Sequence, residues 1–160
     1  MKTFLNIIWH VPFLGFLFAL CYAITGAFWC ITIIGLPLGI GLLQFSKFLL
    51  HPFGYEMVDK AELHKLNKTE QDAGWKTFSL IVRILYFPFG LIAAVGAAIC
   101  TAIEFLSIIG IPCGMVWAKS FKTIFNPVNK ICVPKVVANE IQAVKEQKQK
   151  DKYIKRPEEQ

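Results

Sequence analysis

The chain has 160 residues, 55% of them hydrophobic, and its mean hydropathy is +0.51. A soluble domain of this size must cover its surface with polar groups, so the composition argues against a soluble protein. The net charge of +6 comes mainly from the end of the chain, where 10 of the 17 basic residues lie from Lys119 onward. Basic residues interleaved with aromatics on a soluble surface are not found, so anionic lipid is a better partner for these charges than nucleic acid.

Two long tracts carry almost no charge. No Lys, Arg, Asp or Glu occurs from Thr3 to Ser46, and Glu104 is the only charged residue between Arg83 and Lys119. Each tract is about twice the roughly 20 residues that cross a bilayer as a helix. The sequence therefore predicts a helical hairpin in each tract and about four transmembrane helices, hence an all-α, polytopic membrane protein.

The first tract is predicted to form two helices, over residues 4–24 and 27–50, joined by a turn at Thr25-Gly26. Pro12 is expected to bend the first helix mildly. The apolar run continues far past the length of a signal-peptide core, so this helix should be retained.

A short strand is predicted over residues 55–58, followed by a polar, cytoplasmic linker over residues 60–76. The second tract is predicted to form helices over residues 78–99 and 102–125, because it repeats the apolar character of the first.

A second short strand is expected over residues 130–133, and a basic cytoplasmic tail over residues 136–160. The spacing of Val137, Ile141 and Val144 predicts an amphipathic helix at the start of this tail. Its Lys-, Gln- and Glu-rich end is expected to be disordered.

One phrase occurs twice, 75 positions apart, as Ile33-Ile34-Gly35-Leu36-Pro37-Leu38-Gly39 and Ile108-Ile109-Gly110-Ile111-Pro112-Cys113-Gly114. The same offset pairs other residues without a gap over some fifty positions, so we predict two repeats, residues 1–59 and 77–135. Each repeat has two predicted helices. The copies should therefore run parallel about an axis along the membrane normal, with their strands on the same side and able to pair.

Lysines near the helix ends lie on one predicted side of the membrane, namely Lys2, Lys47, Lys76, Lys119 and Lys122. Both termini and the linker are therefore expected in the cytoplasm. A rival topology has one long span per repeat and a re-entrant Gly-Pro phrase, and it places the linker and the tail on opposite faces. The lysine distribution speaks against that topology without deciding the matter.

The doubled phrase, the following Pro52-Phe53-Gly54-Tyr55-Glu56-Met57-Val58 and the repeated layout resemble the YccF family of bacterial inner membrane proteins. That family is defined by repeated inner membrane component domains, and the resemblance covers roughly residues 4–137. Repeat two departs from the pattern at Val128-Asn129, which replace Phe-Gly. The resemblance implies location and fold. It assigns no biochemical role, although an accessory role beside a larger, efflux-pump-like membrane protein would fit it.

The Gly-Pro-Gly phrases are the first candidate site, as a pathway or as a packing element. Proline removes a helical donor and frees the carbonyl four residues earlier, and such groups must be satisfied by protein or water in a membrane. Paired breaks could line a pathway for a cation or water, but G-x-x-x-G spacing also lets helices pack closely, and packing is favoured. The candidate residues are Gly35, Pro37, Gly39, Gly110, Pro112 and Gly114.

Glu104 is the only acidic residue in either tract and could relay protons or bind a cation. The favoured alternative is an N-terminal cap, because Thr101-Ala102-Ile103-Glu104 fits a capping box at the predicted start of the fourth helix. Four cations are expected at lipid headgroups, Lys47, Arg83, Lys119 and Lys122.

The five cysteines are dispersed and form no C-x-x-C pair, so neither disulfides, a metal site nor a cofactor is expected. No nucleophile–His–acid set occurs, which argues against an enzyme. The sequence therefore predicts a non-enzymatic inner membrane protein that assembles with itself or with a larger transport-type protein. The alternative is a small channel or carrier for an ion or solute that uses the paired broken helices.

Overall fold

Helices and one two-stranded ribbon make up the described part of the chain, residues 2–11, 13–67, 72–108 and 110–155 of a computed structural model. Its elements in chain order are α1 (Lys2–His10), α2 (Gly15–Ile31), α3 (Leu36–Leu50), β1 (Tyr55–Asp59), α4 (Lys60–Leu66), α5 (Ala73–Phe105), α6 (Ile111–Phe125), β2 (Lys130–Pro134) and α7 (Lys135–Lys155). We call α2 with α3 the first hairpin, and residues 90–105 of α5 with α6 the second hairpin.

The first hairpin is held together by small residues that let its two helices approach closely. Near the turn, Gly39 of α3 lies against the carbonyl oxygen of Gly26 in α2, where a side chain would not fit. Near the other end, the Ser46 hydroxyl donates to the carbonyl oxygen of Ala19 at 2.7 Å. The contacts pair early residues of α2 with late residues of α3, so the two helices are antiparallel.

The second hairpin has the same arrangement. The ring of Phe105 packs on Gly114 near the turn. At the other end, the Tyr86 hydroxyl donates to the carbonyl oxygen of Ile124 at 3.4 Å, and Gly90 lies against the carbonyl oxygen of Phe125. Each apolar tract therefore folds back on itself.

The turns do not fall where the sequence predicted them. Thr25 and Gly26 lie inside α2, and the Thr25 hydroxyl donates to the carbonyl oxygen of Cys21 at 2.8 Å. Ala102, the predicted start of the fourth helix, likewise lies inside α5. The chain reverses instead in the Gly-Pro phrases, and Gly26 serves close packing against α3 rather than a turn. Pro12, the predicted bend, lies outside the described residues.

The two predicted strands are present, each one residue longer than expected, and they pair antiparallel as one ribbon. Met57 is directly opposite Cys132 at its centre. The ribbon is tied to α3, because the backbone N–H of Cys132 donates to Oε1 of Gln44 at 3.3 Å. An ion pair of 3.0 Å between Lys130 and Asp59 closes one end.

Corresponding elements begin at positions 75 apart. Helices α3 and α6 share this offset at both ends, as do β1 and β2, and α4 and α7 share it at their first residues. The offset is the one that separates the two copies of the Gly-Pro phrase.

The two hairpins contact each other at two places. The ring of Phe18, at the level of Ser46 in the first hairpin, contacts the ring of Trp117 in α6 with 5.4 Å between centroids. Nearer the first turn, Gly41 lies against the carbonyl oxygen of Pro127. These contacts hold the two hairpins together. The parallel arrangement of the copies about the membrane normal stays a prediction.

Helix α7 is longer than the amphipathic pattern predicted and continues to Lys155, through part of the end expected to be disordered. Its apolar face is covered in part, since Ala138 and Ile141 are buried while Val144 is exposed. An ion pair between Lys145 and Glu62 joins α7 to α4. Residues 156–160 lie outside the described residues.

Among the described helices, α5, with 33 residues, is the one that is long and apolar enough to cross a bilayer alone. Helices α1 and α2 meet the same criterion only when they are taken together as one span with a bend between them. Helices α3 and α6 have 15 residues each. At 1.5 Å per residue each is about 22 Å long, less than the ~30 Å thickness of the hydrocarbon core.

Candidate functional site

The first Gly-Pro phrase forms the turn of the first hairpin. The Thr32 hydroxyl donates to the carbonyl oxygen of Trp29 at 2.8 Å and accepts from the N–H of Gly35 at 3.2 Å. A side chain at Gly35 would overlap both of these neighbours. Pro37 occupies the first turn of α3, where its missing N–H leaves no donor unsatisfied. The phrase thus makes a tight turn and starts a helix.

The second phrase does the same in the second hairpin. The N–H of Gly110 donates to the carbonyl oxygen of Ser107 at 3.0 Å, and a side chain at Gly110 would overlap the carbonyl oxygen of Glu104. Pro112 lies in the first turn of α6. Both phrases are therefore helix-to-helix turns rather than breaks within one spanning helix.

The predicted pathway residues do not come together around a polar channel. The carbonyl of Ile33, which a proline break was expected to free, accepts from the N–H of Leu36 at 3.4 Å. Gly39 and Gly114 face their own hairpin partners. An open cavity of about 440 Å³ lies between the first turn and α5, and its lining is almost wholly apolar, with Trp29, Ile34, Gly35, Leu38, Val82, Leu85, Tyr86 and Phe89.

Glu104 does not cap a helix, so the predicted capping box is wrong. It lies in the last turn of α5, and the Thr101 hydroxyl donates instead to the carbonyl oxygen of Ala97 at 2.7 Å. The side chain of Trp117 hydrogen-bonds to the Glu104 carboxyl. The Oε2 atom of Glu104 is buried and has no hydrogen-bond partner among the described residues. The C-terminal end of a helix dipole does not favour a carboxylate, so this position gives Glu104 no electrostatic support.

The four predicted headgroup cations are spread over three helices. Lys47 and Lys122 are exposed in the last turns of α3 and α6. Lys119 lies 3.9 Å from Glu56 of the ribbon, and Arg83 is exposed on α5. Lys47 lines a cavity of about 350 Å³ beside the ribbon, together with Gln44, Leu50, His51, Tyr55 and Cys132.

Two aromatic residues of α1 close the end of α3, which the sequence did not predict. The indole N–H of Trp9 donates to the carbonyl oxygen of Leu49 at 2.8 Å. The Nε2 atom of His10 lies 2.8 Å from the carbonyl oxygen of Leu50. These carbonyls have no partner within the helix, so the two side chains satisfy them. In the sequence, the only sign that Trp9 and His10 cap α3 is that two polar rings stand side by side in an otherwise apolar tract.

Asn129 forms a second structural link that the sequence did not single out. Its backbone has φ of 61°, and its Oδ1 accepts from Nε1 of Trp75 at 3.0 Å and from the Ser79 hydroxyl at 3.2 Å. Its carbonyl oxygen accepts from the N–H of Lys60 at 2.8 Å. Asn129 therefore connects the ribbon to the start of α5 and to α4.

Cys132 is the ionisable group at the centre of the ribbon. Burial raises the pKa of its thiol to about 11, although nearby Lys47 acts in the opposite direction. Such a thiol stays protonated at neutral pH and is a poor nucleophile or metal ligand. No cluster of three or more His, Cys, Asp or Glu residues able to hold a metal occurs in the described part of the chain.

A protein-family model described as YccF, inner membrane component domain, matches residues 4–55. The matched segment contains most of α1, the whole first hairpin and the first residue of β1. Comparison with curated proteins and with solved structures gave no match.

Proposed function

Because residues 4–55 carry the inner membrane component domain of the YccF family, we propose that the chain is a non-enzymatic component of a bacterial inner membrane complex. It acts by assembling with further copies or with a larger transport-type membrane protein. Lipid surrounds its hairpins, and anionic headgroups meet Lys47, Arg83 and Lys122.

The observation that carries this proposal is a long apolar surface on α5 that nothing in the described chain covers. Large apolar side chains remain exposed along it, including Ile84, Leu85, Phe89, Ile92, Ile99 and Ile103. An exposed apolar surface of this size fits lipid or another membrane helix.

Small residues give part of this surface the shape of a helix-packing face. Ala93, Gly96 and Cys100 are exposed at a spacing of three and four residues, and nothing lies within 4 Å of a Cβ built at Gly96. Such spacing lets membrane helices approach closely. The G-x-x-x-G pairs expected to serve assembly are used inside the hairpins, so α5 takes that role in the proposal.

The two hairpins are related units, with the ribbon, α4, α7 and both termini in the cytoplasm. Three things support this: the common 75-residue offset of the elements, the ribbon that joins their ends, and the lysines at the ribbon end of α3 and α6. A cytoplasmic excess of lysine is the usual signature of orientation in inner membrane proteins.

Oxidative cross-linking in isolated membranes tests the assembly. Cys100 lies on the proposed face, so the wild type should give a disulfide-linked dimer through this residue. Gly96→Leu should reduce that dimer strongly. Ala98→Leu is the matched control, since it places the same side chain at an exposed position on another side of α5. A wild type that stays strictly monomeric in mild detergent and captures no membrane partner would contradict the proposal.

One observation favours a second candidate, a small channel or carrier. The buried Oε2 atom of Glu104 has no hydrogen-bond partner among the described residues and lies in an otherwise uncharged tract. Proton or cation flux into proteoliposomes that is lost in Glu104→Gln would support this candidate. If vesicles that contain the protein are no more permeable than protein-free vesicles, the channel or carrier candidate is refuted.

A further inference from the structure

We infer that both hairpin turns end inside the hydrocarbon core, so that the hairpins are re-entrant wedges in the lipid and expose no residue on the far side. The partner of the turns is thus the acyl-chain region of the bilayer. The inference rests on the proposed membrane residence and replaces four complete crossings with two partial insertions.

The first reason is length. From the last residue of α3 to the turn there are 15 helical residues, and α6 has the same number. About 22 Å of α3 or α6 cannot carry a turn through ~30 Å of hydrocarbon into water on the other side. The part of α5 that pairs with α6, residues 90–105, is about 24 Å long, and the rest of α5 extends past the end of α6. The lysine-bearing ends at Lys47 and Lys122 hold the opposite ends of the same helices at a polar surface.

The second reason is the chemistry of the turns. Ile33 and Ile34 are 80% and 64% exposed in the first turn, and Leu106 and Ile108 are 88% and 87% exposed in the second. Turns that emerge into water typically carry Gly, Asn, Asp, Ser or Pro with polar neighbours. Here the exposed side chains named above are large and apolar, which a surrounding of acyl chains or protein accommodates.

The third reason is that several backbone N–H groups of the turns are satisfied within the turns themselves. The N–H groups of Thr32, Leu36 and Gly110 donate within their own turns, to Trp29, Ile33 and Ser107. The Thr32 hydroxyl serves both Trp29 and Gly35, as described above. Pro37 and Pro112 remove one N–H each from the helix starts. In lipid each unsatisfied polar group costs several kcal/mol, whereas a turn in water needs none of these devices.

Depth-dependent fluorescence quenching tests the inference. The full chain, with its five native cysteines replaced, receives a single cysteine as Ile33→Cys or Ile108→Cys and an environment-sensitive NBD label, and is placed in phospholipid vesicles. Both positions are exposed and neither side chain forms a hydrogen bond that the fold needs. Glu140→Cys on α7 is the water-exposed control.

Lipids brominated deep in the acyl chain should remove most of the emission at both turns. Aqueous iodide should quench only the label on α7, whether it is added outside or trapped inside. Strong iodide quenching at either turn would overturn the inference while leaving membrane residence intact. Quenching by neither agent would overturn it too, because it would mean that protein, not lipid, covers the turns. Failure of the chain to incorporate into vesicles at all would instead refute the proposed function.

Discussion

Met57 and Cys132 face each other at the centre of the ribbon, and they are 75 positions apart in the chain. The same offset separates the two Gly-Pro phrases and the bounds of α3 and α6. When each strand of an antiparallel pair presents the same position to the other, a twofold axis passes between those two residues. An approximate twofold axis at this pair would relate the two hairpins to each other. It leads to specific expectations for the ribbon and for the hairpins.

The Cys132 thiol should be inert at neutral pH. With a pKa of about 11, on the order of one thiol in ten thousand is ionised at pH 7. Its alkylation rate by a small iodoacetamide should rise steeply between pH 9 and 11. An ordinary thiol has a pKa near 9.0. The unfolded chain therefore loses this proton first, and the folded state should lose stability over the same pH interval. Rapid modification of the folded protein at pH 7 would contradict the assignment.

Gly41→Ala should destabilise the protein, whereas Gly96→Ala should not. A Cβ at Gly41 overlaps the carbonyl oxygen of Pro127, and this overpacking should cost about 1–3 kcal/mol. Gly96 has open space around it, so alanine there should stabilise the helix by about 0.5–1 kcal/mol. Thermal unfolding in detergent measures both. Equal melting temperatures for the two variants would refute the close approach of the two hairpins.

Asn129→Ala should be more harmful than Asn129→Gly. Both substitutions remove the acceptor for Trp75 and Ser79, at a cost of about 1–2 kcal/mol. Alanine must in addition adopt φ of 61°, which glycine does freely, and this should add roughly 1 kcal/mol. The same unfolding measurement on both variants separates the loss of the acceptor from the backbone strain. Indistinguishable variants would mean that the backbone conformation at this position is not needed.

Glu104→Gln should leave folding, membrane insertion and cross-linked dimer yield unchanged. Glutamine keeps an acceptor for the side chain of Trp117, and no cation in the described part of the chain forms an ion pair with the carboxylate. Glu104→Leu, which removes the hydrogen bond, is the comparison that shows whether the bond matters. A large loss of dimer in the glutamine variant would show that the charge itself has a role in assembly.

Charge distribution alone was enough to locate the two apolar hairpins. Uncharged tracts of twice the length of a bilayer span, separated by a polar segment, leave few other folds open to a helical membrane protein. The strands beside Pro52 and Pro127 were also predictable, because proline ends the preceding helix in both copies. The position of the turns could not be predicted in this way. Thr25-Gly26 has turn composition, but Gly26 supports close helix packing, whereas Gly35 is held in a turn by contacts with Thr32 and Trp29.

The sequence by itself determined that the chain is helical and apolar, that one phrase recurs after 75 residues, and where its cations lie. These are properties of local composition and spacing. Only the tertiary structure decided that the phrases are hairpin turns, where the two hairpins contact each other, and that Glu104 ends a helix instead of starting one. Each of these depends on contacts between residues far apart in the chain, such as Gly41 with Pro127 and Met57 with Cys132, and local sequence does not encode such contacts.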